Sequence, residues 1–445
     1  MRTACLLLLA ATVVPAHAWA QPAPDDVDPQ LARLIASIPA IDHHAHPVLP
    51  PPNLVTDRNF DALPVDNMEP ETDPVAWRPD SLQLADAWSA LWHFAEVPPL
   101  SPEAMKRLAA SRDKVRAQQG EHYATWVLDQ AHIGLMLANR VSLGPGVEPP
   151  RFRWVPYIDP LVFPLDNTDL AAANPDRKQF FALEDKLRAQ YLQAAAAPRL
   201  PPTLEGYLAK VVTPTLERQH AQGAIAEKFE IAYLRGLDFA EPTREQAARA
   251  YSRWIGRPHP DAADYKLLQD YLFRFIAGEC GRLHMTVHLH TMSGGGGYFS
   301  ISGANPLLLE PVLNTAALRK TQFVMLHAGW PFVHETGALL QKPNAWLDLS
   351  QQSLTFPPRT MAVWLREWLE LYPDKVLFGT DGYPFTESLG WEEATYIAAR
   401  NLRQTLGIAL TGMLRDREIT RDQAAAIARG VLRDNAAKLY NLPSP

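Results

Sequence analysis

Short apolar runs alternate with segments of helical periodicity along most of the chain. Eight of these runs predict buried strands, and they cover residues 40–46, 133–143, 153–158, 224–233, 285–291, 322–327, 345–349 and 376–380. Helical segments lie between them, including residues 244–254, 265–282 and 360–371, and a final amphipathic helix covers residues 420–442. Strands and helices that alternate in this way indicate parallel βαβ units, and eight strands are the number that a closed barrel needs. The predicted fold class is α/β, a (β/α)8 TIM barrel with helical insertions.

The chain is long enough to add insertions to a barrel. It has 445 residues, whereas a minimal barrel needs about 250. A Pro-rich stretch at residues 50–79 predicts an ordered loop or lid over the mouth of the first strand. Residues 81–130 are rich in Ala, Leu, Glu and Arg with helical spacing. We therefore predict a helical insertion at about residues 50–130.

The first 20 residues have the pattern of a secretory signal peptide. Arg2 supplies a positive charge, residues 6–15 are apolar, and two small-x-small sites end at Ala18 and Ala20. This apolar run is too short to span a bilayer permanently. We expect cleavage near Ala18 or Ala20, a periplasmic or secreted location, and a barrel formed by residues 21–445. Cys280 would then be the only cysteine, which excludes an intrachain disulfide.

The overall charge bears on the class of partner. The formal net charge is -7 at pH 7, so neither nucleic acid nor an anionic membrane surface would attract the chain electrostatically. We expect a small-molecule substrate, with no nucleic acid and no membrane as partner after signal cleavage. Helical insertions of this size often form subunit contacts, so a homodimer is the assembly that the insertion suggests.

Histidines stand at the end of the first predicted strand. His44 and His46 are two residues apart and point the same way, with Asp42 behind them on that face. Two imidazoles side by side at a strand mouth suit a divalent transition metal such as Zn. A pair of surface or capped histidines is the structural alternative.

The fourth and fifth predicted strands carry further polar residues. Lys228 lies within an apolar run, where a buried ammonium needs a partner, a modification or a site; a salt bridge with Glu230 facing the helices is the alternative. His288 and His290 share one face, and His290 lies nearer to the loop. His290 is therefore the better ligand, whereas His288 lies one layer deeper. The glycines at 294–297 leave bare backbone where a ligand could approach closely.

The sixth and eighth strands end in a histidine and an aspartate. His327 follows four apolar residues, and Asp381 follows an apolar run directly. Such an Asp can ligate a metal or accept a proton, and its alternative role is as the N-cap of the next helix. In a parallel barrel the carboxyl ends of all strands open on one face. The sequence therefore predicts that these distant residues converge: His44, His46, Lys228, His290, His327 and Asp381.

This arrangement resembles the amidohydrolase superfamily of metal-dependent (β/α)8 enzymes. The nearer resemblance, from about residue 30 onward, is to its amidohydrolase-2 branch, which includes the domain fused to glutamine-synthetase-type proteins. The matching motifs are Lys228 with Ala232, Tyr233, Gly236 and Leu237; His290-Thr291; His327-Ala328-Gly329-Trp330-Pro331; Gly379-Thr380-Asp381; and Asn435-Ala436-Ala437-Lys438-Leu439-Tyr440. Three positions depart from the branch, namely Leu234, His288 and Met292, and all fall on the side of the substrate.

The resemblance implies one or two divalent metals, with Zn favoured. His44, His46 and Asp381 would bind the first metal, and His290 and His327 a second metal or the substrate. Lys228 would bridge two metals if carbamylated, or bind a substrate carboxylate if unmodified. Asp381 would act as the base, and either the second metal or His327 would polarise the carbonyl group. His288 and Arg235 are expected on the side of the substrate, with Arg235 and Arg400 as candidates for an anionic group.

The resemblance also implies a reaction class. We expect a metal-activated water to hydrolyse an amide bond of a small metabolite, with an ester or lactone as the less favoured substrate. A metal-dependent decarboxylase is the alternative within the superfamily, and a non-catalytic protein that binds a metal or a solute is the alternative outside it.

Overall fold

The computed structural model describes residues 26–51, 53, 57–63 and 72–442. The predicted signal peptide at residues 1–20 lies outside the described residues, as does part of the predicted loop at residues 50–79.

Eight parallel strands form the centre of the fold. They follow the predicted order and overlap the predicted runs, at Ala40–Ala45 (β1), Ile133–Asn139 (β2), Phe152–Val155 (β3), Ala226–Phe229 (β4), Thr286–His290 (β5), Phe323–Leu326 (β6), Ala345–Asp348 (β7) and Val376–Leu377 (β8), and only β3 begins one residue before its run. Strands β1 to β3 pair in one sheet and β4 to β8 in a second, and each strand is parallel to its neighbour.

Backbone hydrogen bonds join the two sheets at both edges. Between β3 and β4, the Lys228 amide donates to Pro156 O at 2.8 Å, and the Ile158 amide donates to Lys228 O at 3.1 Å. Between β1 and β8, the His43 amide donates to Phe378 O at 3.1 Å, and the Asp381 amide donates to His44 O at 2.8 Å. These bonds close the ring of strands, and the predicted (β/α)8 barrel is confirmed.

The buried Asp42 reinforces the junction of β1 and β8. Its carboxylate accepts from the Thr380 amide at 3.0 Å and from the Thr380 hydroxyl at 2.5 Å. Burial nevertheless raises the pKa of Asp42 to about 7. Asp42 thus ties the two strands together beneath the mouth of the barrel.

Helices surround the strands and extend the fold. Their bounds are Pro29–Ser37 (α1), Leu82–Trp92 (α2), Pro102–Gln119 (α3), Tyr123–Gln130 (α4), Thr168–Ala172 (α5), Arg177–Ala194 (α6), Leu204–Tyr207 (α7), Thr213–Ala221 (α8), Arg244–Trp254 (α9), Ala262–Arg282 (α10), Glu310–Leu313 (α11), Val333–Leu339 (α12), Gln352–Thr355 (α13), Pro358–Leu371 (α14), Trp391–Arg415 (α15), Arg421–Arg429 (α16) and Asn435–Leu439 (α17). Among the described residues, no helix combines the length and the apolar character that crossing a membrane requires.

Local sequence signals fix several helix boundaries. Helix α9 begins at a capping box, in which Thr243 caps the amide of Gln246 and the Gln246 side chain accepts from the Thr243 amide. Helix α16 begins with the same arrangement at Thr420 and Gln423. The predicted final helix at 420–442 is observed over residues 421–439, and a π-helical turn at Gly430–Asp434 lies between its α-helical parts, α16 and α17.

Helices α2 to α4 occupy the predicted insertion. Leu84, Trp88 and Leu91 of α2 are fully buried. Arg112 of α3 donates to the carboxylate of Glu393 on α15 and to the carbonyl oxygens of residues 387 and 388, so α3 is anchored beside β8. The boundaries of the insertion stay a prediction.

The interior of the barrel is filled by side chains from the strands and from the end of the described chain. Its apolar core comprises Ile41, Leu135, Leu137, Val155, Ala226, Val324, Leu326, Trp346, Leu377, Ala436, Ala437 and Tyr440. The last three come from α17 and the residue after it. These C-terminal residues therefore fill the floor of the barrel, and the polar residues lie above them, toward the carboxyl ends of the strands.

Candidate metal centre

Three buried ligand atoms converge at the mouth of the barrel. His44 Nε2 lies 3.2 Å from Asp381 Oδ1, and His46 Nε2 lies 3.3 Å from the same oxygen. All three ligand atoms lie within 4.8 Å of one another, and all three residues are buried. Strand β1 supplies His44, the residue directly after β1 is His46, and the loop after β8 supplies the carboxylate, so the junction of these strands creates the cluster.

The orientation of His44 is fixed by its other ring nitrogen. His44 Nδ1 lies 3.0 Å from Asn139 Oδ1, while Asn139 Nδ2 donates to Val155 O at 3.3 Å. The amide oxygen must therefore accept from Nδ1–H, which leaves the lone pair of His44 on Nε2. Burial lowers the pKa of His44 well below its usual value, so the ring is neutral.

His46 is held in a similar way by Tyr157. His46 Nδ1 lies 3.0 Å from the Tyr157 hydroxyl, which also hydrogen-bonds to Asp61. Because the Asp61 carboxylate accepts the hydroxyl proton, the hydroxyl oxygen accepts from His46 Nδ1–H. The lone pair of His46 thus also lies on Nε2. Metal-ligating histidines are usually fixed by such a hydrogen bond from the second ring nitrogen.

These tautomers leave three electron pairs facing one another. His44 Nε2 is buried and has no hydrogen-bond partner among the described residues. It carries no proton that Asp381 could accept, so the contact of His44 with Asp381 is repulsive unless a cation lies between them. Two ligands of a tetrahedral zinc ion, each about 2.1 Å from it, lie about 3.4 Å apart. The residues present therefore fit a divalent metal.

The electrostatics of Asp381 agree with a role as a ligand. Burial alone would raise the pKa of its carboxyl, but the facing His327 and His46 rings outweigh burial and lower the pKa to about 2.

Asp381 also has a left-handed backbone, with φ +54°, as do His327 at φ +64° and Gln351 at φ +56°. Left-handed non-glycine residues cluster at functional sites because the surrounding structure must hold them.

His327 lies beside the three ligands and is oriented from below. Its Nδ1 lies 2.8 Å from the Ser350 hydroxyl, and that hydroxyl donates to Asp348 Oδ2 at 2.7 Å. Ser350 has one proton to give, so it accepts from His327 Nδ1–H and leaves Nε2 as the ring's acceptor. Asp348 Oδ1 also accepts from the His327 amide at 2.6 Å, which fixes the backbone as well as the ring.

His290 and Lys228 lie in the same cavity but outside the three-ligand cluster. His290 Nε2 donates to Met292 O at 2.9 Å, and burial with the nearby Lys228 lowers the pKa of His290 to about 3. Lys228 is 1% exposed, and no carboxylate of the described residues lies within 4.0 Å of its Nζ. The salt bridge with Glu230 that the sequence allowed is absent from this part of the chain, and both side chains line the cavity.

A second group of polar side chains lies beneath the ligands. Tyr440 contacts His288 Nε2 at 2.7 Å and His43 Nδ1 at 3.2 Å, and His43 Nε2 donates to Asp348. Since Asp348 only accepts, His43 must accept from the Tyr440 hydroxyl, and this hydroxyl must accept from His288. Gly379 is required here, because a Cβ would lie 2.7 Å from Asp348 Oδ2 and 3.0 Å from the His43 ring.

The structure does not bring every predicted site residue to the cavity. His288, expected on the side of the substrate, lies in the floor group and is not among the residues that line the cavity. Arg235 donates to Gln269 and to two backbone carbonyls, and it forms an ion pair with Asp270 at 2.8 Å. Arg400 pairs with Asp86. Neighbouring groups bind both guanidinium groups, so these positions do not support a role in binding substrate.

Several functional residues were missed from the sequence. Asp348 follows an apolar run just as Asp381 does, so the same signal could have identified it. His43 was passed over because strict alternation puts it on the opposite face from His44, but β1 has a register irregularity between Asp42 and Ala45. Asn139 and Tyr157 carry no such signal, because their role depends on which strands are adjacent.

The cavity around these residues is small and polar. Its volume is about 60 Å³, and its lining comprises His44, His46, Asp61, Leu63, Asp73, Trp77, Lys228, Glu230, Tyr233, His290, Gly295, His327, Gln351, Asp381, Tyr383 and Phe385. One larger cavity adjoins it, with a volume of about 870 Å³, and it shares Trp77, Gly295 and Gln351 with the metal cavity.

Comparison with known proteins identifies a family. A family model described as amidohydrolase, of the amidohydrolase-2 type, matches residues 159–442. Protein fluG of Emericella nidulans is 29% identical over 229 residues, which are 48% of this chain and 25% of that protein. The chain therefore spans about a quarter of the length of this curated relative.

Solved structures share the architecture at low sequence identity. A protein of Lactobacillus casei proposed to be a metal-dependent hydrolase is similar with a TM-score of 0.59 and 17% identity, over 92% of this chain and 97% of that one. Uronate isomerase of Thermotoga maritima has a TM-score of 0.60 and 14% identity, over 93% and 98% of the two chains. These similarities show the fold.

Proposed function

The chain belongs to the amidohydrolase-2 family, and from this premise we propose that it is an exported enzyme that hydrolyses an amide bond of a small molecule at a single divalent metal ion. Zinc is the proposed ion, because two imidazoles and one carboxylate are ligands that it binds in catalytic sites. The export rests on the N-terminal sequence pattern. No nucleic acid and no membrane is proposed as a partner.

One observation supports this proposal above the others. His44 Nε2 and His46 Nε2 both face Asp381 Oδ1, at 3.2 and 3.3 Å, and the neutral His44 has no proton on Nε2 to share with that oxygen. A structural histidine would normally use both ring nitrogens in hydrogen bonds. The arrangement instead suits a cation, and it explains why Asn139 and Tyr157 hold the opposite ring nitrogens.

The bound cation would supply Lewis acidity, which polarises a carbonyl group and makes water easier to deprotonate. Asp381 presents Oδ1 to the two histidines and Oδ2 to His327, at 4.0 Å from the Nδ1 of that ring. Asp381 Oδ2 is therefore free to accept a proton from the attacking water and to return it to the leaving nitrogen. A pKa of about 2 keeps the carboxylate ionised at neutral pH.

The proposed role of His327 differs from the expectation drawn from the sequence. A histidine that polarises a carbonyl must donate a proton, but Ser350 holds His327 Nδ1–H, and burial lowers the pKa of the ring well below its usual value. The neutral ring therefore offers only an acceptor on Nε2. We assign His327 to orienting the water or accepting its proton beside Asp381.

Lys228 is proposed to remain an unmodified ammonium group. Only one group of three ligand residues converges within the described part of the chain, and His290 and His327 are not part of it. A carbamate on Lys228 would be useful for bridging two ions, and a second ligand cluster would be expected beside it. The free ammonium group instead faces the cavity, where it suits a carboxylate or a polarised carbonyl of the substrate.

A substrate panel with two detectors tests the proposed reaction. Metal-loaded protein is incubated with simple amides, esters and aromatic carboxylic acids, while amine or ammonia release and carbon dioxide release are followed separately. Release of amine supports the proposal, and release of carbon dioxide alone would replace it with a decarboxylase. Turnover must disappear in Asp381→Asn and persist in His334→Ala, in which an exposed histidine far from the cavity is replaced.

Native mass spectrometry with metal analysis tests the number of ions. We expect close to one metal per chain and an unmodified Lys228. Two metals together with a mass increase that matches a carbamate would contradict the single-ion assignment without affecting the proposed reaction.

A further inference from the structure

The metal cavity is too small to hold more than the reacting part of a substrate. Its volume of about 60 Å³ gives room for roughly four to six groups the size of water. Binding pockets for small molecules usually measure about 300–1,000 Å³. The remainder of any substrate must therefore extend into a neighbouring space.

The 870 Å³ cavity lies directly beside the metal cavity. The residues at the boundary, Trp77, Gly295 and Gln351, line both cavities. Gly295 has no side chain that could close the passage. Gly294 beside it must also be glycine, because a Cβ there would lie 2.6 Å from the Tyr233 ring. The glycine loop after β5 thus places no side chain of its own at Gly294 and Gly295, where the two cavities meet.

The walls of this cavity are mainly apolar. Met292 is 3% exposed, and the rings of Trp330 and Phe356 lie 5.2 Å apart on one side. At the rim, Val75 and Leu82 are each 69% exposed, although large apolar side chains gain free energy when they are covered. No Lys or Arg lines the cavity among the described residues, and Asp80 is its one acidic residue there.

A cavity on the opposite side is a weaker candidate. It shares Tyr383 and Phe385 with the metal cavity, and these two rings lie 5.1 Å apart and form a wall between the spaces. Two of its charged groups are already paired, because Arg112 bonds to Glu393 and Arg116 bonds to Glu392. Arg112 and Arg116 are therefore not free to bind a charged group of the substrate in this cavity.

We propose that the substrate carries a bulky apolar group, an aromatic ring or an alkyl chain, which occupies the cavity bounded by Trp77, Trp330 and Phe356 while the scissile carbonyl lies at the metal centre. This inference rests on the proposed function for the position of the reacting bond. It adds the chemical class of the substrate, namely an apolar amide. The apolar group belongs to either the acyl or the amine side of that bond.

Hydroxamate binding tests the inference without requiring turnover. Hydroxamates chelate divalent metals, so acetohydroxamate and 4-phenylbutyrohydroxamate share the metal-binding group and differ in the apolar part. Titration calorimetry of the metal-loaded protein should show that 4-phenylbutyrohydroxamate binds about 10- to 100-fold more tightly, which corresponds to burial of one large apolar side chain. Equal affinities would overturn the inference, as would tighter binding of the anionic succinohydroxamate.

Variants at the rim locate the apolar group. Val75→Asp and Leu82→Asp change exposed side chains, so the fold should be retained. Each should reduce the affinity for 4-phenylbutyrohydroxamate by at least about threefold and leave the affinity for acetohydroxamate unchanged. Val363→Asp is the matched control, because Val363 is also exposed, at 65%, but lies on α14 outside this cavity. Equal losses in all three variants would contradict the assigned location.

Hydrolysis assays separate this inference from the proposed function. N-benzylacetamide and N-methylphenylacetamide place the ring on the amine and acyl sides, respectively, and faster hydrolysis of either than of N-methylacetamide supports the inference. If no amide is hydrolysed but the hydroxamate preference persists, the proposed function fails and the apolar cavity stands. If all three amides are hydrolysed at the same rate and the hydroxamates bind equally, the inference of an apolar group is wrong and the proposed function stands.

Discussion

Two layers of histidine occupy the same barrel, and they differ in what their ring nitrogens face. In the mouth layer, formed by His44, His46 and His327, one nitrogen of each ring is held by a neighbouring side chain and the other is left as an acceptor. In the floor layer, His43 uses both nitrogens, on Tyr440 and Asp348, and His288 donates to Tyr440. The layers are equally buried, so burial does not distinguish a ligand from a structural histidine.

The difference shows how one layer serves the other. Asp348 accepts from His43 and from Ser350, and Ser350 accepts from His327. The floor therefore sets the tautomer of a residue at the mouth. A polar network in a protein interior is stable only if every member is satisfied. The floor layer meets this condition almost completely, apart from His288 Nδ1, which has no partner among the described residues.

Removing a mouth ligand should have the largest effect. His44→Ala deletes one of three metal ligands, so we expect loss of bound metal and a fall in turnover of at least about 1,000-fold. Metal analysis and initial rates measure both quantities. His259→Ala is the control, because His259 is exposed and pairs with Asp169 on the surface. Full metal content in His44→Ala would contradict the assignment of the mouth layer.

Removing the link between the layers should have an intermediate effect. Ser350→Ala deletes the acceptor of His327 Nδ1–H, so we expect a fall in kcat of about 10- to 100-fold with metal content unchanged. Ser353→Ala is a matched control on the adjacent helix, since its hydroxyl is buried without a partner among the described residues. Similar rates in the two variants would show that His327 does not depend on Ser350.

Changing the floor alone should affect stability more than catalysis. Tyr440→Phe keeps the ring but leaves His43 Nδ1 and His288 Nε2 without a hydrogen-bond partner, which should lower the free energy of unfolding by about 1–3 kcal/mol. Turnover should change by less than the Ser350 variant changes it. Urea unfolding measures the first quantity, with Tyr298→Phe as a control at a residue that is 55% exposed. If Tyr440→Phe lowers turnover more than Ser350→Ala does, Tyr440 belongs with the mouth layer.

The smallest effect concerns the pH dependence of the metal-free protein. The folded pKa of His290 is about 3, below the usual value of 6.5, so the unfolded chain binds more protons between these pH values. The stability that neutral His290 contributes is therefore present above about pH 6.5 and is lost as the pH falls toward 3. His290 contributes at most about 1.4 kcal/mol per pH unit to the slope of the free energy of unfolding against pH.

Urea unfolding of the metal-free protein at pH 7 and pH 5.5 measures this slope. His290→Asn should flatten it, and His334→Ala should leave it unchanged. If His290→Asn and the unsubstituted protein lose stability equally between the two pH values, the neutral state of His290 in the folded protein is contradicted.

The sequence predicted most of the fold because its strands are short, apolar and separated by helices. Every strand of the described residues overlaps a predicted run, although β3 begins one residue early, at Phe152, and β8 ends at Leu377 rather than at residue 380. Residues 378–380 lie outside β8 for a physical reason. The backbone after Leu377 crosses to β1, and Phe378 O accepts from His43 rather than continuing the ladder with β7. Apolar character alone does not show where a strand changes its partner.

The site was predictable to the extent that its residues stand at the carboxyl ends of strands. His44, His46, His327 and Asp381 carry this signal in the sequence, and the structure brings them together. The partners that orient the rings were not predictable, because Asn139 reaches His44 only through the pairing of β1 with β2. Arg235 illustrates the opposite error, since a charge in a loop does not reveal which carboxylate will bind it first.

The junction of β1 with β8 has a consequence for biosynthesis. Asp42 and Thr380 bond to each other across 338 residues of chain, and the metal ligands lie on the same two segments. A ribosome releases the two histidines early and the aspartate late. The nascent polypeptide therefore passes through most of its synthesis with an incomplete ligand set. Loading of the ion becomes a late event that distinguishes finished molecules from fragments.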